Sequence, residues 1–550
     1  MNNSSETSTT FDTAVFHRLA HSEFTYLALI LFVHIAIWFN CYSFDLVWDD
    51  VPEITDNPLL EENIWHGLFV GQHRQMKQER AEWIKPVHDS YRPIRFVSYK
   101  LDLMAHKLSP QGLHIHNLIL SILAIVIVFW AGGTLQIGRA RLIVTALFAF
   151  HPVQVESIAY VSARGDLLSA IFALLSFTIY IHESKNLKRN YLLIALGMIS
   201  FIASIASKES SLLLPIPVLL AMARYQKGKK LIIPGMSLIA AAIIWWFLRS
   251  KVVTSIGQDT ITPTIKYAPN YYLTYVRTFF LPMDCSIARQ TIKSAPIASL
   301  LVIAASYIAL SFVTFKKKTV ELQTIHLGVT FFATLLLPSL VVISVTGIAA
   351  DRYMYLPIFG LAISSSVIGV RLFNIFKQLT PVLKWTIYTT LTAYGLALLW
   401  VSYNQTTTWR SSILLYSHAT KQEPDSPFAW YGLGHSLMQT QGCEAAEPLF
   451  QKATTLSNAA ISAWNNLGVC QLRRGAVQAA LLSFQQAINE SDGLHPAAWF
   501  NMGESHVLLG QTPDACVAYR NALRIKPDYV KAQNKIHSFC HPQKKVTHYE

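Results

Sequence analysis

The sequence predicts an all-α protein in two parts, a polytopic membrane bundle of about eleven spans followed by an α-helical solenoid of short repeats. Three observations lead to this fold class. Of 550 residues, 52% are apolar and only 14% charged, against about 25% charged in an ordinary soluble domain. The apolar residues gather into long runs, and a bilayer is crossed by roughly 20 of them in a helix. Beyond about Trp409 the runs stop and a pattern with a period of 34 to 35 residues begins.

Taken in order, residues 1–23 read as a cytoplasmic tail and 24–408 as the membrane domain. The first apolar run, 24–41, has no preceding Lys/Arg-rich segment and no small-residue cleavage site, so it reads as an anchor and not a signal peptide. A large polar outer loop, 42–112, follows it. Further runs lie near 114–131, 140–150, 165–182, 191–207, 210–223, 231–249, 295–315, 324–346, 353–371 and 383–403. Those at 140–150 and 210–223 are short for spans. "NYYLTYVRTFFLP", 270–282, is amphipathic and reads as a surface-lying helix.

The net charge of +13 is placed as an orientation signal rather than a nucleic-acid footprint. Arg139 and Arg141, then "ESKNLKRN" (183–190), "RYQKGKK" (224–230), "KKK" (316–318) and the stretch with Arg371, Lys377 and Lys384 occupy every second connection. Short basic loops stay in the cytoplasm. Alternation puts the N-terminus inside and everything after the last span outside. The basic residues Arg74, Lys77, Arg80 and Lys85 of the first loop break the pattern, but long loops translocate largely regardless of charge.

A linker, 409–426, leads to the repeats, 427–540, and a tail, 541–550. "AWYGLGHSL", "AWNNLGVCQ" and "AWFNMGESH" open three units, and Trp430, Trp464 and Trp499 recur with Phe450, Phe484 and Tyr519 and with Ala453, Ala487 and Ala522. Trp, Leu, Gly, then Ala, aromatic, Ala at this period is the tetratricopeptide pattern of paired helices. "YVKAQNKIHSFC" reads as a capping helix. The six cysteines include no C-x-x-C pair. They leave the compartment open, and Cys470 and Cys516 read as packing between helices.

With sidedness assigned, ionisable residues of both signs collect at the outer ends of spans, where they are costly unless they face a cavity. Asp49 and Asp50 suit a general base, a Mg²⁺ or Mn²⁺ site shared with phosphate oxygens, or a turn closed by "DNP". Arg92 and Arg95 stand one helical turn apart, as two phosphate contacts would. His151, Glu156, Arg164 and Asp166 share "HPVQVESIAYVSARGD", in which Arg164-Gly-Asp166 also reads as a helix cap. His88 and His114 join the outer group. His114 and His116 point apart on a helix, which argues against a zinc pair. Lys208 holds a phosphate or pairs with Glu209, and Arg352 and Tyr353 follow Asp351 at a span mouth. No P-loop, dinucleotide fingerprint or nucleophile elbow is present, and guanidinium forks suit phosphate. The favoured substrate is therefore a polyprenyl-linked phosphate with an outward head group.

The set "VWDDVPEITDNPLL", "YRPIRFVSYKLD", "GLHIHNLILSILA", "FHPVQVESIAYVSARGDLLSAIF", "SKES" and "DRYMYLPIFG", followed by the repeats, resembles the transmembrane and tetratricopeptide repeat-containing protein O-mannosyltransferases. That resemblance implies a GT-C-type helical bundle, a polyprenyl-phosphate sugar donor and transfer to Ser or Thr of exported proteins. It places the family's acidic pair at Asp49 and Asp50, with Asp50 the favoured base. Its Arg-Ala-Asp segment corresponds to Arg164-Gly165-Asp166 and its Arg-Tyr segment to Arg352-Tyr353. Arg164, Arg352, Lys208 and Arg92 are then the donor-phosphate contacts, with His151, Glu156, Asp166, His116 and Tyr353 as further site residues. Three repeats and compact loops look like a bacterial member, in an inner membrane rather than the endoplasmic reticulum, with the repeats periplasmic or lumenal and binding the acceptor protein.

Two other readings stay open: a GT-C transferase acting on a glycolipid or cell-wall polymer, and a non-catalytic membrane assembly protein. The orientation itself is testable. A reporter fused after Trp409 is expected to be active only outside the cytoplasm; cytoplasmic activity would remove one short span, 140–150 or 210–223, from the count.

Overall fold

The structure is a computed structural model and describes residues 7–61, 91–226, 228–252, 261–283, 287, 297–346, 349–376, 378–457 and 460–540. His88 and the first-loop bases Arg74, Lys77, Arg80 and Lys85 lie outside them. Among the described residues all regular elements are helical. They fall into two compact units, one with the helices up to Arg410 and one with those from Ser411.

The first unit runs α1 (Thr7–Trp38), α2 (Pro93–His106), α3 (Pro110–Thr134), α4 (Ala140–Phe150), α5 (Val155–Ala159), α6 (Arg164–Ser184), α7 (Tyr191–Ser207), α8 (Pro215–Met222), α9 (Ile232–Val252), α10 (Ile261–Phe280), α11 (Ile297–Lys317), α12 (Val320–Thr346), α13 (Ile358–Phe376) and α14 (Pro381–Thr408). Seven stretches are long and apolar enough to cross a membrane: Glu23–Ser43, Pro110–Thr134, Val161–Ser184, Gly228–Ser250, Ala298–Lys317, Val320–Ile343 and Ile358–Phe376. The chain is a multi-pass membrane protein. The remaining four of the eleven expected runs differ in kind. Ala140–Phe150 and Pro152–Ala159 are a pair bent by 52°, and Tyr191–Ser207 and Glu209–Met222 are shorter apolar helices. The 28-residue α14 is diluted by Thr, Tyr and Asn.

The bend falls where Pro152 interrupts the backbone ladder. His151 holds it: its Nε2–H donates to the Phe279 carbonyl at 2.9 Å, and its Nδ1 accepts from the Val153 amide at 3.2 Å. Small or polar residues mediate several of the other helix contacts, as expected where lipid offers no hydrophobic drive. His34 of α1 bonds the Ala149 carbonyl at 3.0 Å and Ser121 Oγ at 2.8 Å. Gly360 of α13 lies so close to α12 that a Cβ there would meet the Gly328 oxygen at 2.3 Å.

The second unit begins earlier than expected. The supposed linker contains a helix, α15 (Ser412–Gln422), whose Tyr416 ring fills the space beside Gly432, where a Cβ would meet it at 2.2 Å. Three helix pairs follow: α16 (Pro427–Thr440) with α17 (Cys443–Leu456), α18 (Ile461–Arg473) with α19 (Val477–Glu490), and α20 (Pro496–Leu508) with α21 (Thr512–Ile525). The repeated Gly and aromatic positions are one device. Gly434 faces Phe450, Gly468 faces Phe484 and Gly503 faces Tyr519, at separations no Cβ would tolerate (2.9, 2.6 and 2.5 Å). Each pair turns through a glycine of positive φ: Gly442, Gly475 and Gly510. The closing segment is α22 (Val530–Lys535), continued by a π turn over Ile536–Cys540.

Cys470 and Cys516 are not simple packing residues. Cys443 is bonded to Cys470, tying the first pair to the second, and Cys516 to Cys540, tying the last pair to its cap. The Cα separations of 5.1 and 5.7 Å lie inside the range a disulfide requires. The sequence could not reveal them, because both pairings span different helices. In the unreduced, denatured chain all four should resist alkylation, and a reductant should expose them. Labelling of Cys443 or Cys516 without reductant would refute the bridges.

Candidate active site

The polar residues singled out at span ends are organised around the backbone of residues 160–164. Arg164 opens α6 with its guanidinium only 1% exposed. Its Nε donates to Asn117 Oδ1 at 2.8 Å, its Nη2 to the Leu113 carbonyl at 3.0 Å, and its Nη1 pairs with Asp102 of α2. It also lies 4.8 Å over the Tyr99 ring. Tyr99 donates to the Val161 carbonyl at 3.1 Å, and Arg95 to the Ser162 carbonyl at 3.3 Å while pairing with Glu53 at 3.1 Å. Gly165 permits a tight approach to α7, since a Cβ there would stand 3.1 Å from the Ser207 oxygen.

The acidic pair divides into two environments. Asp50 is fully buried; its Oδ1 accepts from the Ser162 amide at 2.7 Å and its Oδ2 from the Val47 amide at 3.1 Å. Burial pushes its carboxyl up to about 7, with the Val47 and Ser162 hydrogen bonds opposing. Oδ1 thus anchors the first loop to the 160–164 segment, while Oδ2 closes the local turn on Val47. Asp49 is partly exposed and accepts from the Tyr160 hydroxyl at 3.1 Å. The turn before it is unusual, since Trp48 has a φ of 54°, a region costly for a bulky L-residue. That conformation stacks its indole on Tyr160 at 5.4 Å, and Tyr160 stacks in turn on Trp409 at 5.4 Å.

Beside this aromatic stack stands a group of cations, each held by a carboxylate. Arg352 pairs with Glu156, whose other oxygen accepts from the Arg352 amide at 2.9 Å. Lys208 pairs with Asp166, and Arg92 with Glu209 at 3.0 Å. The sequence alternative of a Lys208–Glu209 pair is therefore not realised, because adjacent residues at the α7 end point to different partners. Tyr353 lies between the cations: the Arg352 guanidinium is 5.3 Å and the Lys208 ammonium 5.2 Å from its ring. Arg352 also lies 5.3 Å from the Trp48 ring and 5.7 Å from Tyr160. Burial lowers the Lys208 ammonium to about 8, Asp166 opposing and the charges of Arg92 and Arg352 adding to the fall. The Arg352 and Arg92 side chains keep 18% and 23% exposure, so these two guanidiniums, unlike that of Arg164, are accessible to an anion.

Asp49, Arg92, Glu156, Asp166, Lys208, Arg352 and Tyr353 are thus brought into one neighbourhood. Arg164 does not offer a free edge to a phosphate, since all three guanidinium nitrogens are engaged in holding helices together. His151 has both ring nitrogens committed to the α4–α5 bend. His116 pairs with Asp102 instead of facing the cations. The aromatic residues Trp48, Tyr160 and Trp409, and the anchors Asp102 and Asn117, were not singled out from sequence. Single aromatics and carboxylates near span ends give no signal until the helices are assembled.

Comparison with known proteins agrees with the motif resemblance. Residues 431–494 match the tetratricopeptide repeat family model. The human "Protein O-mannosyl-transferase TMTC3" is 21% identical over 573 residues, covering 92% of this chain and 61% of that protein. The Caenorhabditis elegans "Protein O-mannosyl-transferase F38B6.6" is 24% identical over 78% of this chain and 62% of its own length. The chain therefore spans about three fifths of the length of these relatives, and is homologous to proteins of that name along most of its own. Among solved structures, "YrrB: a TPR protein with an unusual peptide-binding site" is 16% identical, with a TM-score of 0.21 over 42% of this chain and 98% of that one.

The closed surroundings of Arg164 have a measurable consequence. Removing one partner of a buried, fully bonded ion pair costs about 3–5 kcal/mol. Arg164→Ala should therefore lower the thermal unfolding temperature in detergent sharply, and Arg164→Lys, which lacks the fork, should recover only part of it. Unchanged stability in both variants, with lost donor binding, would return Arg164 to the phosphate contacts.

Proposed function

We propose that this chain is an inverting membrane glycosyltransferase that moves a sugar from a polyprenyl-phosphate carrier to Ser or Thr hydroxyls of exported proteins, as a protein O-mannosyltransferase does. The observation that carries this reading is the adjacency of a partly exposed carboxylate, Asp49, to a cluster of carboxylate-paired cations, linked through Tyr160 and the Arg352 guanidinium. An acceptor hydroxyl activated at one end and a phosphate leaving at the other need such a pair of environments.

In the proposed step Asp49 removes the proton from the acceptor hydroxyl, and the oxygen attacks the anomeric carbon from the face opposite the phosphate. The carbon–oxygen bond to phosphate breaks, and the phosphate keeps the electron pair. Arg352, Lys208 and Arg92 stabilise that developing charge. Tyr160 holds the Asp49 carboxylate in place, and Glu156, Asp166 and Glu209 hold the cations so that little reorganisation is needed. Asp50, with both oxygens on backbone amides, is a positioning residue. The repeats recruit the acceptor.

The test separates the two aspartates. Asp49→Asn should reduce transfer by about 10² to 10⁴, with the affinity for the polyprenyl-phosphate sugar and the unfolding temperature nearly unchanged. Asp50→Asn should lower the unfolding temperature, because one amide N–H then faces the NH₂ group of the asparagine. Near-normal turnover in Asp49→Asn would exclude Asp49 as the base.

A further inference from the structure

The tight connection between α2 and α3 gathers three ligand-type side chains that the proposed reaction does not use. Asp102 and His106 lie one helical turn apart on α2, and His116 sits in the second turn of α3. The connection turns through two consecutive non-glycine residues of positive φ, Lys107 at 53° and Leu108 at 56°. Backbone strain of that kind persists only where surrounding structure enforces it. It brings the His106 and His116 rings to 5.2 Å between centroids.

The geometry points to a zinc-class divalent cation site formed by Asp102 Oδ1, His106 Nε2 and His116 Nδ1. These atoms all lie within 4.8 Å of one another. His106 Nε2 is buried without a hydrogen-bond partner and faces Asp102 Oδ1 at 3.6 Å. That is too long for a hydrogen bond and close to the spacing of about 3.4 Å between two ligands held at 2.0–2.1 Å from a tetrahedral ion. His116 Nδ1 contacts the same oxygen through a proton that a metal would displace.

The surroundings are those of a supported metal site. The second oxygen of Asp102 is held by Arg164, and His106 Nδ1 lies 3.4 Å from Ser109 Oγ. Carboxylate and imidazole ligands are usually oriented by such outer partners. The His106 ring is also fixed by Gly112, where a Cβ would meet it at 2.4 Å. His116 remains 38% exposed in its side chain, which gives an ion an entry path and leaves a fourth position to water. Two imidazole nitrogens favour Zn²⁺ or its transition-metal neighbours over Mg²⁺ and Ca²⁺, which prefer oxygen. Bound there, the ion would clamp the α2–α3 junction through the same carboxylate that fixes Arg164.

Metal content tests this independently of sugar transfer. The full-length protein in detergent, stripped with a chelator, should take up one equivalent of Zn²⁺ against a chromophoric competitor. With Co²⁺ it should show the visible absorption of a tetrahedral nitrogen–oxygen site. His106→Ala and His116→Ala should each weaken Zn²⁺ binding at least 10-fold and abolish that absorption, Ser109→Ala should weaken binding about 10-fold, and His182→Ala, at an exposed position in the last turn of α6, should match the wild type. Zn²⁺ should raise the unfolding temperature of the wild type but not of His116→Ala. Uptake well below one equivalent by the wild type would overturn the proposal, as would wild-type binding by the His106 and His116 variants.

Discussion

A buried guanidinium is tolerable only when every nitrogen is paired, since each unmet donor in a low-dielectric interior costs about 1–3 kcal/mol or more. Arg164 meets that condition by drawing on Asp102 of α2, and on Leu113 and Asn117 of α3. The consequence is that α2, α3 and α6 are fixed together at one end. The backbone of residues 158–163 threads between them and is itself pinned by Asn117, Tyr99, Arg95 and Asp50. Tyr160, the partner of Asp49, hangs from that backbone. The position of the candidate base therefore depends on a residue that need not touch substrate.

The same economy governs the cations. A charged side chain near the apolar region of a bilayer is expensive alone, and pairing is the usual way to keep it. Arg352, Lys208 and Arg92 each have a carboxylate from a different part of the chain. Since Glu156 and Asp166 flank the 160–164 segment, two of those carboxylates are placed by the backbone that the Arg164 clamp fixes. One set of helix packings thus sets both ends of the proposed reaction, and an error of register in α6 would disturb both.

What was legible in the sequence follows from which signals are local. Apolar runs mark span-length helices because each residue contributes its own transfer energy. The Gly and aromatic spacing marks the helix pairs because it records contacts within one 34-residue unit. The ionisable residues could be assigned to one side, but not to roles. Asp49 and Asp50 are neighbours with the same chemistry, and only the Ser162 and Val47 amides, on either side of Asp50 in the fold, separate anchor from candidate base. Arg164 carried the same ambiguity, since a fork that suits phosphate equally suits Asp102. His114, two residues from His116, lies on another face of the helix, whereas His106 and Asp102 approach His116 across a turn. The helix Ser412–Gln422 was hidden because it lacks the repeat signature and belongs to the stack only through Tyr416 against Gly432.

The disulfides bear on a question that charge patterning alone had addressed. Bridges such as Cys443–Cys470 and Cys516–Cys540 persist in oxidising compartments and are rare in the cytosol of mesophiles. The alternation of basic loops, a kinetic effect of membrane insertion, independently predicts the outer side for everything after the last span when eleven runs are counted as spans. These signals have no common physical origin: one arises from the retention of Lys and Arg during synthesis, the other from thiol chemistry after folding. A cytoplasmic location of the repeats would expose two inter-helix bridges to reduction. The two constraints together support the proposed non-cytoplasmic location of the repeats.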